Sequence, residues 1–175
     1  MLAGTPLRVL EARDEALYCA LYGDPDTMRH VGPALAPEAG RTAFARVMAQ
    51  LAARPPRAAY WLLPWRVAAT VAGPPAGLMA LQIHAGAGDA AEVGVLLPPG
   101  AQGAGVASAG IAALVDVAFT ASPLLALWTR HVRDHAAAAG LMRRAGFQPA
   151  ADGLAGECRW RLTRAHWARA TQEAG

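Results

Sequence analysis

The stretch "LLPPGAQGAGVASAG", from Leu96 to Gly110, constrains the fold more strongly than any other part of the chain. It begins as an apolar, strand-like run, breaks at two prolines, becomes small and glycine-rich, and continues as a helical pattern. A helix that starts at glycines after a strand offers unpaired backbone amides to an anion, but the same residues could also form a plain tight turn. Because the chain is rich in alanine and glycine throughout, this stretch alone leaves both interpretations open.

The order of strand-like and helical segments around this stretch predicts the fold class. The 175 residues suit one domain, 1–175, of the α/β (α+β) class, with a central mixed, mostly antiparallel twisted sheet flanked by helices. We expect helices capped by Asp14 and Asp134, and a helical tail over 164–175. The predicted strands cover residues 6–12, 58–64, 65–73, 76–84, 92–97, 124–132 and 156–163, and the other predicted helices cover 37–54 and 105–119.

Charge and hydropathy narrow the possible partners. The sixteen arginines are spread along the chain and the net charge is only +3, so a nucleic-acid-binding surface is not indicated, although an anionic ligand would be favoured. No apolar run reaches the roughly 18 residues of a membrane span and the N-terminus lacks a signal pattern, which predicts a cytoplasmic protein with no membrane partner. Cys19 and Cys158 form no CxxC pair, which disfavours a disulfide framework or a zinc ribbon.

Two common phosphate-binding motifs do not fit the glycine-rich turn. A P-loop requires a lysine after its second glycine, and the chain contains no lysine. A dinucleotide-binding turn requires G-x-G-x-x-G within a parallel βαβ unit, whereas the strand before this turn is predicted to pair with its predecessor in a hairpin. If the turn binds a phosphate, it therefore does so within another fold.

Four segments of the chain can be read together: "YGDPDTMRHVGP", "AEVGVLLPPG", Gln102-Gly103-x-Gly105-x-Ala107 and "RDHAAAAGLMRRAGF". In this order and spacing they resemble the GNAT superfamily, and within it the RimJ/RimL-type N-acetyltransferases. The third segment matches that family's Q/R-x-x-G-x-G/A acetyl-CoA motif, and the fourth is similar to its "N-x-A-S…L-M-e-r-a-G-F". The resemblance covers roughly residues 5–163, which is nearly the whole chain.

The resemblance implies that acetyl-CoA is the co-substrate. The pyrophosphate would meet the amides of the glycine-rich turn, and the pantetheine arm would lie along strand 92–97, where that strand splays from strand 124–132. A backbone N–H near Leu97 would polarise the thioester carbonyl, as in an oxyanion hole. The residues expected to contact acetyl-CoA are Leu96, Leu97, Gln102, Gly103, Ala104, Gly105, Val106, Ala107 and His135.

Several positions depart from the family's pattern. His135 and Ala138 stand where the family has Asn and Ser, Ala104 replaces the lysine of the turn, and Met142 replaces the tyrosine that many GNAT enzymes use as general acid. A thiol with a pKa of about 8.5 can still leave as thiolate at neutral pH at a cost of roughly 2 kcal/mol. A site with so little acid–base equipment would suit an α-amine or another weakly basic amine better than a lysine side chain.

Glu92 is the candidate general base, because it holds the position of the family's "E-i-G" glutamate and would reach the amine directly or through a water. A strand-end carboxylate paired with an arginine is the structural alternative. His84, at the end of the neighbouring strand, is a second catalytic candidate if it faces the same cleft rather than solvent. His131-x-x-x-His135 has the spacing of two metal ligands, but no third ligand is evident, so no metal site is predicted.

Arg29 and Trp61 are the candidates for acceptor binding. Arg29 would border the mouth of the acceptor site, with a solvated arginine as the alternative, and Trp61 would line a hydrophobic pocket, with core packing as the alternative. The predicted function is acetyl transfer to a primary amine, either a peptide or protein N-terminus or a small molecule, by direct attack on the thioester. A non-catalytic acyl-CoA-binding or regulatory module, or an enzyme using a longer acyl-CoA, stays open, as does a homodimer.

Overall fold

The structure, a computed structural model, describes residues 7–53, 58–64, 75–84, 86–151 and 155–173. The strands in these residues are β1 (Arg8–Val9), β2 (Ala58–Pro64), β3 (Pro75–Gln82), β4 (Ala90–Leu96), β5 (Ala126–Val132), β6 (Gln148–Ala150) and β7 (Glu157–Thr163). The helices are α1 (Glu15–Gly23), α2 (Pro25–Met28), α3 (Pro37–Ala52), α4 (Val106–Ala121), α5 (Ala136–Arg144) and α6 (Arg164–Glu173). The strands form one sheet in the order β1-β2-β3-β4-β5-β7-β6.

One parallel pair interrupts an otherwise antiparallel sheet. β4 runs parallel to β5, whereas the other neighbouring pairs of described strands are antiparallel. The parallel pairing ends at Glu92 and Trp128, although β4 continues to Leu96 and β5 to Val132. The two strands therefore diverge beyond Glu92, which confirms the predicted fold class with its splayed strands.

The sheet separates two hydrophobic clusters, one on each face. On one face, Met79 and Leu127 pack with Ile111, Leu114 and Phe119 of α4. On the other face, the sheet packs with α1 and α3, and the buried residues there include Tyr18, Leu21, Phe44, Val47, Tyr60, Leu62, Leu78 and Leu96. Successive residues of β2 and β3 alternate between the two clusters, as the two-residue repeat of a strand requires.

Gly110 lets α4 pack closely against the sheet. A Cβ atom at this position would lie 2.3 Å from Leu63 Cδ2 and 2.8 Å from Met79 Sδ. Gly110→Ala should therefore destabilise the fold by about 1–3 kcal/mol through overpacking, although alanine itself favours a helix by about 1 kcal/mol. Urea unfolding measures the change, with Gly140→Ala in α5 as the control, because its Cβ would meet the flexible end of Arg144 at 3.2 Å. A Gly110→Ala variant as stable as Gly140→Ala would contradict this packing.

Two predicted helix caps are wrong. Asp14 precedes α1, but its carboxylate accepts hydrogen bonds from the Arg8 guanidinium (2.6 and 2.9 Å) and the Glu11 amide (2.8 Å) and makes no cap bond to the helix. A guanidinium is a stronger partner for a buried carboxylate than neutral amides are. α5 begins after His135, one residue later than predicted, and no side chain caps it. The Asp134 backbone carbonyl instead accepts a hydrogen bond from the Ala136 amide at 3.0 Å and turns the chain before the helix.

Most other segments lie within a few residues of their predicted positions, including β2, α3, α4, β7 and the helical tail α6. β1 is shorter than predicted. β6 is absent from the sequence prediction because it is a three-residue edge strand that contains a proline. The predicted strand 65–73 lies outside the described residues. Within the part of the chain that the structure describes, no helix is long and apolar enough to cross a membrane.

Candidate active site

The divergence of β4 and β5 opens a cavity of about 960 Å³. Its walls come from β4, β5, the glycine-rich turn, the start of α4, and α5, while α2 and the turn after it border the same space. α5 ends in a Schellman motif, in which the amides of Gly146 and Phe147 bond to the carbonyls of Arg143 (3.1 Å) and Met142 (3.0 Å). Gly146, with a φ of 81°, therefore ends α5. A cavity of this size is large enough for a cofactor.

The glycine-rich turn lines this cavity just before α4 begins. Gly103 and Gly105 adopt left-handed conformations, with φ of 78° and 77°, and a Cβ at either position would meet no atom within 4 Å. The first hydrogen bond of α4 runs from the Ala109 amide to the Gly105 carbonyl at 3.0 Å. The amides at the start of the helix before Ala109 therefore have no partner within the helix. Gln102 ties the turn to the end of β4, because its Nε2 donates to the Leu97 carbonyl at 3.0 Å. The turn therefore offers an anion a cradle of N–H groups.

Most residues predicted to contact acetyl-CoA line this cavity, namely Leu96, Leu97, Gln102, Gly103, Gly105, Val106, Ala107 and His135. Ala104 is exposed between the two glycines and does not line it. Arg144 of α5 lines the cavity as well and was missed by the sequence analysis. The second arginine of "LMRRAGF" was the available signal, but an exposed arginine near a helix end is ordinarily a solvated one.

Three histidines lie together on the wall of the cavity. The His30 and His135 rings stack with their centroids 4.1 Å apart, and His131 meets His135 edge-on at 6.1 Å. Nδ1 of His131 lies 2.8 Å from the Val132 carbonyl and its Nε2 accepts from Trp160 Nε1 at 2.8 Å, so a neutral ring carries its proton on Nδ1. Burial and the two neighbouring imidazoles lower the pKa of His135 below its usual value. A neutral His135 can both donate and accept a hydrogen bond, as the Asn it replaces would.

Glu92 belongs to a chain of charged side chains where β4 and β5 separate. Its Oε2 lies 2.5 Å from His84 Nε2, and its Oε1 lies 3.4 Å from Arg130 Nε. Arg130 in turn contacts Glu157 Oε1 through Nη1 at 3.1 Å. The structure therefore shows the arginine pair that was the structural alternative for Glu92, together with a contact to His84, and the role of general base stays a prediction. The side chain of Glu92 is 19% exposed and that of His84 is 47% exposed, so the imidazole is the more accessible group.

A second cavity, of about 300 Å³, lies beside the first over the β3–β4 pair. The residues that both cavities share include Glu92, Gly94, Val95, Leu96 and Arg130. The smaller cavity adds Tyr22 of α1 and residues of β3 and its end, namely Leu78, Ala80, Gln82 and His84. The His84–Glu92 pair therefore stands where the two cavities meet.

The two residues predicted to bind the acceptor line neither cavity. Trp61 is 6% exposed and packs in the cluster between the sheet and α4, because it lies on that face of β2. Arg29 is exposed and pairs with Asp26 at 2.7 Å, while Asp26 and His30 on either side of it border the larger cavity. The positions of Trp61 and Arg29 therefore do not support the predicted contacts with an acceptor.

The fold and the larger cavity together define an α/β domain with a ligand cleft between splayed strands and an anion cradle at a helix start. The sequence profile described as "Acetyltransferase (GNAT) domain" matches residues 6–148. The chain therefore belongs to the GNAT acetyltransferase family, and it is an acyltransferase with acetyl-CoA as co-substrate. Among the residues that the structure describes, no group of three or more His, Cys, Asp or Glu side chains could hold a metal ion.

Solved structures of similar fold include three complexes with CoA. The spermidine N-acetyltransferase from Vibrio cholerae, with CoA and spermine, has a TM-score of 0.75 and 17% identity over 93% of this chain and 96% of its own. Aminoglycoside acetyltransferase AAC(6')-Ib with CoA has a TM-score of 0.75 and 17% identity over 94% and 98% of the two chains. RimL, the ribosomal L7/L12 α-N-protein acetyltransferase, has a TM-score of 0.71 and 16% identity over 90% and 92%. These identities show a shared fold, and no curated protein sequence matches the chain.

Proposed function

We propose that this chain is an N-acetyltransferase that moves the acetyl group of acetyl-CoA to a primary amine by direct attack of the amine on the thioester. The junction of the two cavities is the observation that carries the proposal. The larger cavity reaches the anion cradle at Gly103 and Gly105, the smaller one opens beside it, and Glu92 lines both. One cavity would hold the thioester and the other the amine, with the His84–Glu92 pair between them.

Backbone groups would provide most of the cofactor site. The amides of the glycine-rich turn would hold the pyrophosphate. Beyond Glu92, the edge of β4 that faces β5 has no strand partner among the described residues, so its N–H and C=O groups would pair with the amides of an extended pantetheine arm. The amide near Leu97 would polarise the thioester carbonyl, and a neutral His135 would bond to the arm from α5.

Arg144 would supply the phosphate-side cation that Ala104 does not. Its side chain lines the larger cavity, whereas the guanidinium of Arg143 lies over the Trp160 ring, 5.8 Å from the ring centroid. Arg144→Gln should raise the Kd of CoA about 10-fold and weaken its salt dependence, because a hydrogen bond between charged groups contributes about 1.5–3 kcal/mol. Arg143→Gln is the matched control and should change the Kd little. Calorimetric titration compares the two variants, and equal effects would contradict the phosphate contact.

His84 and Glu92 would act together as the proton acceptor. With Nε2 donating to the Glu92 carboxylate, the lone pair of a neutral His84 lies on Nδ1 and can take a proton from the amine. As the N–C bond forms and the C–S bond breaks, the electron pair leaves with sulfur and the proton stays on His84. The Glu92 carboxylate would stabilise the imidazolium, while Arg130 holds its second oxygen.

The thiolate of CoA would leave without a general acid. Met142 occupies the position of the family's tyrosine and lies buried in the wall of the larger cavity. Departure as thiolate costs roughly 2 kcal/mol at neutral pH, and an amine that is partly neutral there, such as an α-amine, lowers the demand on the base. The acceptor is then either a peptide or protein N-terminus, as in RimJ/RimL-type enzymes, or a small-molecule amine.

Thiol release tests the proposal against its alternatives. The protein is incubated with acetyl-CoA, or separately with hexanoyl-CoA, and with a mixed panel of amines and peptides, and free CoA is measured. Release that depends on an amine and is faster from acetyl-CoA is expected. Tight CoA binding without thiol release across the panel would instead favour a non-catalytic module. The absence of the family's Asn, Ser, Tyr and Lys from their usual positions is the reason to consider that alternative. Faster release from hexanoyl-CoA would favour a longer acyl donor.

A further inference from the structure

The smaller cavity changes from apolar to polar along the β3–β4 pair. Three cross-strand pairs form its floor, namely Leu78 with Leu96, Ala80 with Gly94, and Gln82 with Glu92. The two leucines are buried, the glycine presents exposed backbone, and the glutamate with its His84 partner marks the polar end. A ligand in this cavity would therefore meet an apolar surface at one end and a proton acceptor at the other.

The Ala80–Gly94 pair creates the space in the cavity. A Cβ on Gly94 would meet Ala80 Cβ at 3.9 Å, an ordinary contact, so a larger side chain there would fill the cavity rather than clash with the protein. Val31 borders the cavity and is 60% exposed, and a bound apolar group would cover it. The volume of about 300 Å³ corresponds to roughly ten water molecules. The cavity therefore suits a compact body with apolar surface.

The charges around the cavity do not suit a polycation. Glu92 is the one carboxylate among the described residues that line it, and its two oxygens already contact His84 and Arg130. Arg130 also places a positive charge on the wall. The described part of the chain contains all of the 13 acidic residues except Asp152, and of those described only Glu92 lines this cavity. The additional ammonium groups of a polyamine or an aminoglycoside would find no carboxylate there, and an unpaired charge is unfavourable away from water.

A long acyl chain fits the cavity less well than an amine does. An acyl chain needs a wholly apolar slot, whereas Gln82, His84 and Glu92 line the polar end of this one. Against an acyl chain these groups would lose water without gaining a hydrogen-bond partner. A molecule with an apolar body and a single amino group matches both ends.

We infer that the acceptor in the proposed acetyl transfer is a compact monoamine with an apolar or aromatic body. The inference rests on the proposed function and specifies its substrate class. The body packs against Leu78, Leu96 and the exposed backbone of Gly94. The amino group faces the His84–Glu92 pair, at the junction with the larger cavity.

A comparison of four amines tests this substrate class. Phenethylamine, spermine, kanamycin and a hexapeptide with a free N-terminus are compared by kcat/KM at saturating acetyl-CoA. We expect phenethylamine to exceed each of the others by about 10- to 100-fold, the range for burying one large apolar group. A higher value for spermine, kanamycin or the peptide would overturn the substrate class and leave acetyl transfer standing. If CoA binds but none of the four amines causes thiol release, both the substrate class and the proposed acetyl transfer are overturned.

Gly94→Val tests whether the body of the amine occupies the smaller cavity. Valine favours a strand and would fill the space above Ala80, so the fold should persist while kcat/KM for phenethylamine falls about 10-fold or more. The loss for ethylamine, which has almost no body, should be smaller, so the ratio of the two kcat/KM values should fall. Gly94→Ala should give a smaller loss in the same direction, and it carries the comparison if the valine variant does not fold. Equal losses for ethylamine and phenethylamine would overturn the placement of the acceptor body.

Discussion

Gly105→Val is expected to raise the Kd of acetyl-CoA about 100-fold or more, which corresponds to about 2.7 kcal/mol. Gly105 precedes α4 with a φ of 77°, a conformation that a β-branched residue strongly disfavours. The new side chain would also project into the open side of the turn, where a Cβ meets no protein atom within 4 Å and where the pyrophosphate would lie. The expected loss is the size of one or two hydrogen bonds to a charged group.

Gly88→Val separates loss of the anion cradle from backbone strain. Gly88 has a φ of 62°, and its Cβ would also meet no atom within 4 Å, but it lies in the β3–β4 hairpin and lines neither cavity. The two variants should lose similar free energy of unfolding, and Gly88→Val should keep the Kd of acetyl-CoA. Urea unfolding and calorimetric titration measure the two quantities. An unchanged affinity in Gly105→Val would remove the phosphate-binding role from the turn.

Glu92→Gln is expected to lower kcat/KM by about 100- to 10,000-fold, the usual range for loss of a general base. Glutamine keeps the size of the side chain and can still accept a hydrogen bond from His84, but it has no charge to stabilise the imidazolium. Because the two residues would act as one unit, His84→Gln should cause a similar loss, and the double variant should lose little more than either single one. Steady-state kinetics with a fixed amine measure all three variants.

Glu157→Gln is the matched control for charge. Glu157 contacts Arg130, as Glu92 does, but makes no contact with His84 among the contacts of the described residues. Its loss should therefore lower kcat/KM much less than Glu92→Gln does. Equal losses would show that the charge around Arg130, and not proton transfer through His84, decides the rate.

The cofactor side of the molecule could be predicted from the sequence because it depends on local signals. Glycines between a strand and a helix are needed where the backbone has positive φ, and Gly103 and Gly105 both have it. The splay of β4 from β5 follows from the family's arrangement and is seen in the structure. Eight of the nine residues expected at the cofactor do line the cavity, Ala104 being the exception.

The acceptor side could not be predicted in the same way, because it depends on register and on which face of a strand a residue occupies. β2 is covered on both faces, so its apolar residues do not reveal that Trp61 points to the α4 side while Tyr60 points to α1 and α3. His84 reaches Glu92 only because the β3–β4 hairpin pairs Gln82 with Glu92. A shift of one residue in that register would place the two side chains on opposite faces.

Acetyl transfer in a single turnover tests the central claim most directly, that this cavity delivers the acetyl group straight to an amine. Excess protein is mixed with acetyl-CoA and the best amine of the panel, and CoA, N-acetylated amine and intact protein mass are followed by mass spectrometry. Direct transfer predicts one N-acetylated amine for each CoA released and no acetylated protein at any time. Release of CoA without N-acetylated amine, or an acetyl group that passes through Cys19, Cys158 or another side chain, would contradict it.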